Sequence, residues 1–378
     1  MMDNRKICAK CISGLSIPGI RFDDRGICNF CKIHDELDKQ FPLGESGQQK
    51  LNQLVGRIKL KGQNKKYDCV VGLSGGTDST YCLYLAKKMG LRPLVVHLDN
   101  GWDTEIATNN IAKTVANLSV DLKTVTCNWE EFRDLQISFL RASVPDAEIP
   151  TDIAIIATLY RVAAEEGIHY VLNGHSFRAE GLSPQGWTYM EGRYIRSVYK
   201  KFTKAKLKNF PNLTISNLLY YVLIKKIQVV PFLAYIDYSK ENSKKILEKE
   251  LGWTYYGGHH FESAYTRFVI TNLLWKKFNI DKRIVEYSAY IRSGRMTRDE
   301  ALEKIKEPLP EDKELVQYVI DKLGLTNAEF QDIMCAEPKT FLDYPTYYPF
   351  IKAMRFPIWV ACKLNLLPHI FYEKYFNG

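Results

Sequence analysis

The sequence contains no long apolar run. Its most apolar stretch, LLYYVLIKKIQVVPFLAYI at 218–236, is broken by Lys225 and Lys226 well short of the roughly 20 residues that a membrane-spanning helix needs. The first residues, MMDNRKICAKC, hold nothing like the apolar core of a secretory signal. A soluble, cytoplasmic protein is expected, with peripheral membrane contact left open. Internal repeats and low-complexity segments are absent, which excludes solenoids and disordered arrays. Nine cysteines in 378 residues are too sparse for a secreted disulfide scaffold. Neither a Gly-Lys-Ser/Thr phosphate loop nor a G-x-G-x-x-G turn occurs, so two common nucleotide fingerprints are missing.

Acidic charge is in short supply too. There are 43 Asp and Glu against 52 Lys and Arg, a net charge of +9. That excess favours an anionic partner: nucleotide sugar, nucleic acid or membrane surface. At 46% hydrophobic and 25% charged residues, the chain can build a sizeable core, and its length suits two domains.

Cysteine placement says more than cysteine number. ICAKC and ICNFC are two C-x2-C pairs, Cys8 with Cys11 and Cys28 with Cys31. Two thiolate pairs at this spacing can close a tetrahedral zinc site. Four cysteine ligands leave no open position, so Zn2+ here is expected to be structural; an iron–sulfur cluster is the rarer alternative. FDDRGIC reads as a short hairpin between the pairs. The other five (Cys69, Cys82, Cys127, Cys335 and Cys362) read as small buried hydrophobes.

VVGLSGGTDST at 70–80 carries the clearest chemistry. Residues 67–73 read as a buried parallel strand and 77–89 as a helix that Gly90 stops. Ser74, Gly75, Gly76, Thr77, Asp78, Ser79 and Thr80 therefore occupy a strand-to-helix turn. Glycines there let the backbone approach a ligand, and the helix start offers free N–H groups and a positive dipole end. This is a phosphate cradle. S-G-G-x-D-S resembles the signature of the PP-loop, or N-type ATP pyrophosphatase, family. That resemblance implies ATP cleavage between the α and β phosphates, with AMP passed to a substrate oxygen. Strands at 93–98, 121–127, 170–175 and 227–233, alternating with helices, predict an α/β fold with a doubly wound parallel sheet and its ligand at the carboxyl edge. In the resembling family the second strand end, here His97, Leu98 and Asp99, contacts adenine. NGHSFRAEG at 173–181 resembles the family's third nucleotide motif, with Gly174 and Glu180 at matching places. Asp78 is the candidate to orient Mg2+, with Asp99 and Glu180 behind it. An Arg often precedes the last strand's Pro in this family; Val230 stands there instead, so another basic residue must neutralise pyrophosphate.

A second resemblance spans nearly the whole chain. GICNFC, LRPLVVHLDNGWDTE (91–105), NWEEFRDLQISFLRASVPDAEIPTDIAI (128–155), YYGGHHFESAYTRFV (255–269) and KKFNIDKRIVEYSAYIRSGRMTRDEAL (276–302) are similar to the N-acetyl sugar amidotransferases of lipopolysaccharide and nonulosonic-acid biosynthesis. The resemblance implies that ATP activates an acetamido oxygen of a UDP-linked diacetamido uronic acid or a related sugar. Ammonia then displaces AMP to leave an amidine. No glutaminase nucleophile is present, so the resemblance implies a separate HisH-like glutaminase and a HisF-like ammonia conduit.

For this chemistry Asp78, Ser79, Asp152 and His260 are the catalytic candidates, and Thr151, His259, Glu262 and Arg267 the substrate contacts. Asp152 reads equally well as a helix N-cap. His259 and His260, beside Glu262 and Ser263, could bind metal or phosphate or move a proton; acting together requires a loop, which Gly257-Gly258 supplies. Lys282, Arg283, Arg292, Arg295 and Arg298 read as a solvated face or a diphosphate site. RYIRSVYKKFTKAKLK at 193–208 is basic with aromatics and reads best as a solvated helix face. Three parts are expected: a zinc knuckle over about 1–45, a nucleotide domain over about 46–252 with a basic insertion from about 183 to 226, and a mostly helical substrate region over 253–378. The alternative is a PP-loop tRNA thiolase. Those enzymes usually carry a reactive cysteine pair after the loop, and none follows Cys82, so nucleic acid is not the expected partner.

Overall fold

The computed structural model describes residues 7–363 together with 372, 375 and 376. Five strands, β1 (Cys69–Gly72), β2 (Pro93–Asp99), β3 (Asp121–Thr126), β4 (Tyr170–Asn173) and β5 (Gln228–Pro231), form one sheet in the order β3-β2-β1-β4-β5. Every neighbouring pair is parallel. Successive strand residues face opposite sides, and both sides are covered. Val71 and Val95 pack with α2 (Gly44–Lys61), α3 (Thr77–Lys88) and α4 (Glu105–Leu118), through Leu54, Leu83 and Ile111. Val70, Leu94 and Val96 pack with Tyr160 and Val162 of α6 (Ile149–Glu165). The expected doubly wound sheet is present. The strand order reverses between β1 and β4, where such sheets open a crevice.

The basic stretch becomes α7 (Gly192–Phe202). Its apolar stripe, Tyr194, Ile195, Val198 and Tyr199, packs on Leu135 and Phe139 of α5 (Trp129–Ala142) and on Phe341 and Tyr344. Its cations line the outside: Arg193 stacks on Tyr347 and Lys201 on Tyr344. The short α8 (Ile215–Leu219) leads to β5, and α9 (Lys240–Leu251) follows it. The C-terminal region is helical: α10 (Ala264–Phe268), which continues as a π-helical stretch over Val269–Lys277, then α11 (Arg283–Arg292), α12 (Arg298–Lys304), α13 (Lys313–Leu323) and α14 (Asn327–Cys335). No helix among the described residues is long and apolar enough to cross a membrane.

The four N-terminal cysteines are fully buried, Cys28 as the N-cap of α1 (Asn29–Gln40) and Cys31 in its first turn, and form a group that could hold a metal ion. Sulfur–sulfur separations are 3.8 Å for Cys8–Cys31, 3.8 Å for Cys11–Cys28 and 3.6 Å for Cys28–Cys31. A tetrahedral ion with ~2.3 Å Zn–S bonds holds its sulfurs ~3.8 Å apart, so the set fits zinc. The hairpin between the pairs closes through an antiparallel bridge from Phe22 to Cys28. Of the other cysteines, Cys69, Cys82 and Cys362 are buried as expected, and Cys127 only partly. Cys335 is exposed, which corrects that expectation. It ends α14, whose buried residues are Phe330 and Ile333; position 335 falls about 200° around the helix from Ile333.

Candidate active site

The cradle is built where β1 stops. Gly75 has φ +76°, in the left-handed region, and a Cβ there would lie 2.4 Å from the Ala107 carbonyl oxygen. The Gly75 carbonyl accepts from Asn110 Nδ2 at 3.2 Å and from the Trp253 indole at 2.9 Å. Both features pin the turn so that the start of α3 faces outward. Gly76 caps α3 and has no side chain of its own to bond the first amides. Serine hydroxyls brace the loop, with Ser74 Oγ 3.1 Å from Ser79 Oγ and accepting from Gly76 N at 3.3 Å. The Thr77 amide donates to the Tyr256 hydroxyl at 3.1 Å. From β4, Gly174 comes so close that a Cβ would sit 2.7 Å from the Asp78 carbonyl oxygen. Gly75→Ala combines left-handed strain with a backbone clash. It is expected to destabilise the fold by roughly 2 kcal/mol or more and to abolish nucleotide binding; thermal melts and an ATP titration read both effects.

A cavity of about 990 Å³ opens over the cradle. Its walls bring together Ser74, Gly76, Asp78, Ser79, His97, Leu98, Gly174 and Glu180 with Thr151, Asp152, His259, His260 and Glu262. The remaining sequence candidates lie elsewhere. Gly75, Thr77 and Thr80 sit behind the loop surface, Thr80 fully buried. Asp99 turns its carboxylate to the Gly101 amide at 3.0 Å. Arg267 stands off the cavity wall, paired with Asp312 at 2.7 Å and stacked on Phe261. The expected basic set disperses in the same way: Arg283 pairs with Asp281, Arg295 with Asp237, and Arg292 and Arg298 turn to the cysteine knuckle. Lys282 alone of that set lines the cavity.

Charge is concentrated around Asp78. The Tyr238 hydroxyl donates to its carboxylate, and Lys240 Nζ lies 3.6 Å from Asp78 Oδ2. Lys240 also donates to His259 Nδ1 at 3.0 Å and lies 3.9 Å from Glu286. Burial raises Asp78 to about 7, with Lys240 pulling the other way. Burial also works against a charged Glu180, but His175, Lys240 and His260 outweigh it and hold that carboxyl well below its usual range. Sequence reading missed Lys240. A lysine in the first turn of a helix opposes the dipole, and that local misfit was the available signal.

The two histidines divide their roles. His260 is held at φ +58°, which sets the two rings 4.0 Å apart, centroid to centroid. Burial lowers His259 well below the ordinary value, with His260 and Lys240 adding to it. Its Nδ1 accepts from Lys240, so a neutral His259 carries its proton on Nε2 and acts as a donor. Burial also opposes charge on His260, but Glu262, 3.6 Å away, and Glu180 raise it to about 9. His260 is therefore a cation at neutral pH. A raised value means that its charge, and the stability it brings, is full below pH 6.5 and lost as pH rises through about 9. ATP affinity is expected to hold to about pH 8 and fall beyond it, and His260→Gln to remove that step; titrations at a series of pH values check both.

The far wall was less legible. α6 begins at Ile149 behind Glu148, so Asp152 lies inside the first turn and is not the N-cap. Glu148 takes the Thr266 hydroxyl at 2.6 Å on one oxygen, while its other oxygen and Glu262 Oε2 are buried without partners. Buried polar atoms are seldom left unpaired in a protein. Both residues line the cavity, Glu262 against the cradle with Oε1 3.5 Å from Ser74 Oγ, and their unpaired oxygens can receive a ligand's N–H or O–H groups. His97 faces inward, with Nδ1 donating to the Leu73 carbonyl at 2.9 Å and Nε2 3.1 Å from Asp103.

Loop, strand order and cradle agree with the fold that the PP-loop resemblance implies. Residues 68–155 match the family described as queuosine biosynthesis protein QueC, and residues 262–356 match the lipopolysaccharide biosynthesis protein WbpG-like C-terminal domain. This chain therefore joins a PP-loop ATP-using domain to a WbpG-like C-terminal domain. An uncharacterized protein of Methanocaldococcus jannaschii is 27% identical over 157 residues, 41% of this chain and 53% of its own. The chain spans about half the length of that curated relative. Among solved structures, the NH3-dependent NAD synthetase of Campylobacter jejuni is 14% identical over 77% of this chain and 97% of its own, with a TM-score of 0.28. The NMN synthetase of Francisella tularensis is 13% identical over 57% and 98%, with a TM-score of 0.30. A predicted subunit of a tRNA methyltransferase from M. jannaschii is 16% identical over 47% and 74%, with a TM-score of 0.28.

Proposed function

We propose that this protein is an ATP-dependent amidotransferase that converts an acetamido group of a nucleotide-activated sugar to an acetamidino group, for a surface polysaccharide such as O-antigen. One observation carries the reading. Glu262, Thr266, Lys282 and Glu286, from the segment that matches the WbpG-like domain, wall the same cavity as Ser74, Asp78 and Ser79. The acceptor and the phosphates then meet in one space.

The chemistry follows from the leaving group. An amide oxygen leaves poorly, so it attacks the α-phosphorus of ATP and pyrophosphate departs. Ammonia adds to the activated carbon, and AMP leaves carrying the oxygen. The Gly76 turn and the free amides of α3 receive phosphate oxygens. Lys240 and the charged His260 offset the negative charge that grows on the departing pyrophosphate. Asp78 and Glu180 would hold Mg2+, which neutralises phosphate charge. His259 Nε2–H and the unpaired oxygens of Glu148 and Glu262 suit the sugar's oxygens and N–H groups. Ammonia is supplied by a separate HisH-like glutaminase through a HisF-like subunit, and the protein works in the cytoplasm.

Among the described residues no cysteine lines the cavity, which supports amide chemistry over sulfur transfer. The test is mass spectrometry of a UDP-diacetamido uronic acid incubated with the protein, ATP, Mg2+ and ammonium. Replacing O by NH gives a product about one mass unit lighter; an unchanged sugar under conditions where pyrophosphate is released argues for another acceptor.

A further inference from the structure

We propose that Arg292 is a positioning residue that ties the four-cysteine centre to the nucleotide site through α11. This rests on reading the cysteines as a zinc site and the cavity as the ATP site.

A tetrathiolate zinc centre carries a net charge of about −2 and sits here without solvent. Backbone amides of Lys10, Ser13 and Cys28 donate to its sulfurs at 3.4, 3.5 and 3.2 Å, but amides carry no charge. Arg292 does. Its guanidinium donates to Cys31 and Cys11 at 3.3 Å each and approaches Cys28 at 3.8 Å. It is 9% exposed. Among the described residues no other cationic side chain donates to these sulfurs. Ser288, one turn earlier on α11, meets Ser13 of the knuckle at 3.1 Å.

The same helix reaches the nucleotide site at two points. Glu286, about 9 Å of helix before Arg292, lies 3.7 Å from His259 and 3.9 Å from Lys240. On the third motif, Gly181 packs so tightly on Val285 that a Cβ would sit 2.7 Å from its carbonyl oxygen. Ser293 donates to the Arg178 carbonyl at 3.3 Å, two residues before Glu180. One end of α11 is thus neutralised and held by the cysteine centre, while its length sets Glu286 and braces the loop carrying Glu180. Without the ion, the four thiols lose the charge that holds Arg292, and α11 loses its anchor.

The test uses the full chain with zinc bound and two readouts that need no sugar. One is the rate of zinc transfer to a chromogenic chelator; the other is the affinity for a non-hydrolysable ATP analogue with Mg2+. Arg292→Met is expected to speed zinc transfer about ten- to hundredfold, the usual effect of losing a residue that supports metal ligands, and to weaken analogue binding about tenfold. Arg292→Lys should recover most zinc retention but less of the nucleotide affinity. Lys39→Ala, which removes an exposed pair with Glu36, should match the wild type in both. Unchanged zinc transfer, faster transfer with full nucleotide affinity, or a wild-type chain without zinc would each overturn the proposal. Should Arg292→Met fail to fold, Arg292→Lys decides it by whether both readouts shift together. A wild type that binds the analogue but releases no pyrophosphate with any sugar sinks the amidotransferase reading and leaves this coupling standing.

Discussion

Asp78→Asn is expected to lower ATP-dependent pyrophosphate release by about a thousandfold, the scale of losing a group that organises charge stabilisation at phosphorus. The substitution keeps the shape of the side chain and an oxygen that can still accept from Tyr238. It removes the charge that faces Lys240 and the ability to share a divalent ion with Glu180. Folding is expected to survive, because Lys240 keeps Glu286 as a carboxylate partner at 3.9 Å and burial already raises Asp78 to about 7. A melting temperature within a few degrees of wild type, together with lost turnover, separates chemistry from stability. Full turnover in the variant would remove Asp78 from the mechanism.

Lys240→Met should be almost as damaging, by a different route. Lys240 lies among Asp78, Glu286 and His259 with its side chain 12% exposed. Taking away one partner of a buried ion pair costs about 3–5 kcal/mol because the other charge stays buried. Asp78 would then favour its protonated form. The loss of stability is expected to be greatest above neutral pH and to shrink on acidification, which melts at several pH values would show. ATP affinity should fall with it, since Lys240, 3.6 Å from Asp78, is the candidate for the basic residue that the missing Arg before Pro231 leaves to be found. A pH-independent stability loss with normal ATP binding would contradict both parts.

The sheet and cradle were readable in the sequence because their signals are local. Cys69–Gly72 is a short apolar run, Gly75 and Gly76 mark a turn that a side chain would block, and two C-x2-C pairs specify a ligand set by spacing alone. The far side of the cavity was not readable, because its residues meet only across the fold. Lys240 reaches Glu286, and Glu148 reaches Thr266, over separations that no period or motif encodes. The same limit explains Arg267 and Arg292. Arg267 was expected to touch substrate, and Arg292 to lie on a solvated face or at a diphosphate site. Folding gives the first to Asp312 and the second to the cysteines.

The segment at the N-terminus illustrates how packing alters a motif's meaning. Spacing suggested a zinc knuckle over about 1–45. Its cysteines share a core with Phe268, Leu273 and Ile284 of the C-terminal helices. Phe30, between Cys28 and Cys31, and Ile33 just beyond line the cavity over the cradle. The cysteine segment is therefore part of the wall that shapes the site.

The most direct measurement is pyrophosphate release by the purified protein with ATP, Mg2+ and ammonium chloride, comparing a UDP-diacetamido uronic acid with bulk tRNA as acceptor. The account predicts release that depends on the sugar and is absent with tRNA. Release that depends on tRNA would contradict it.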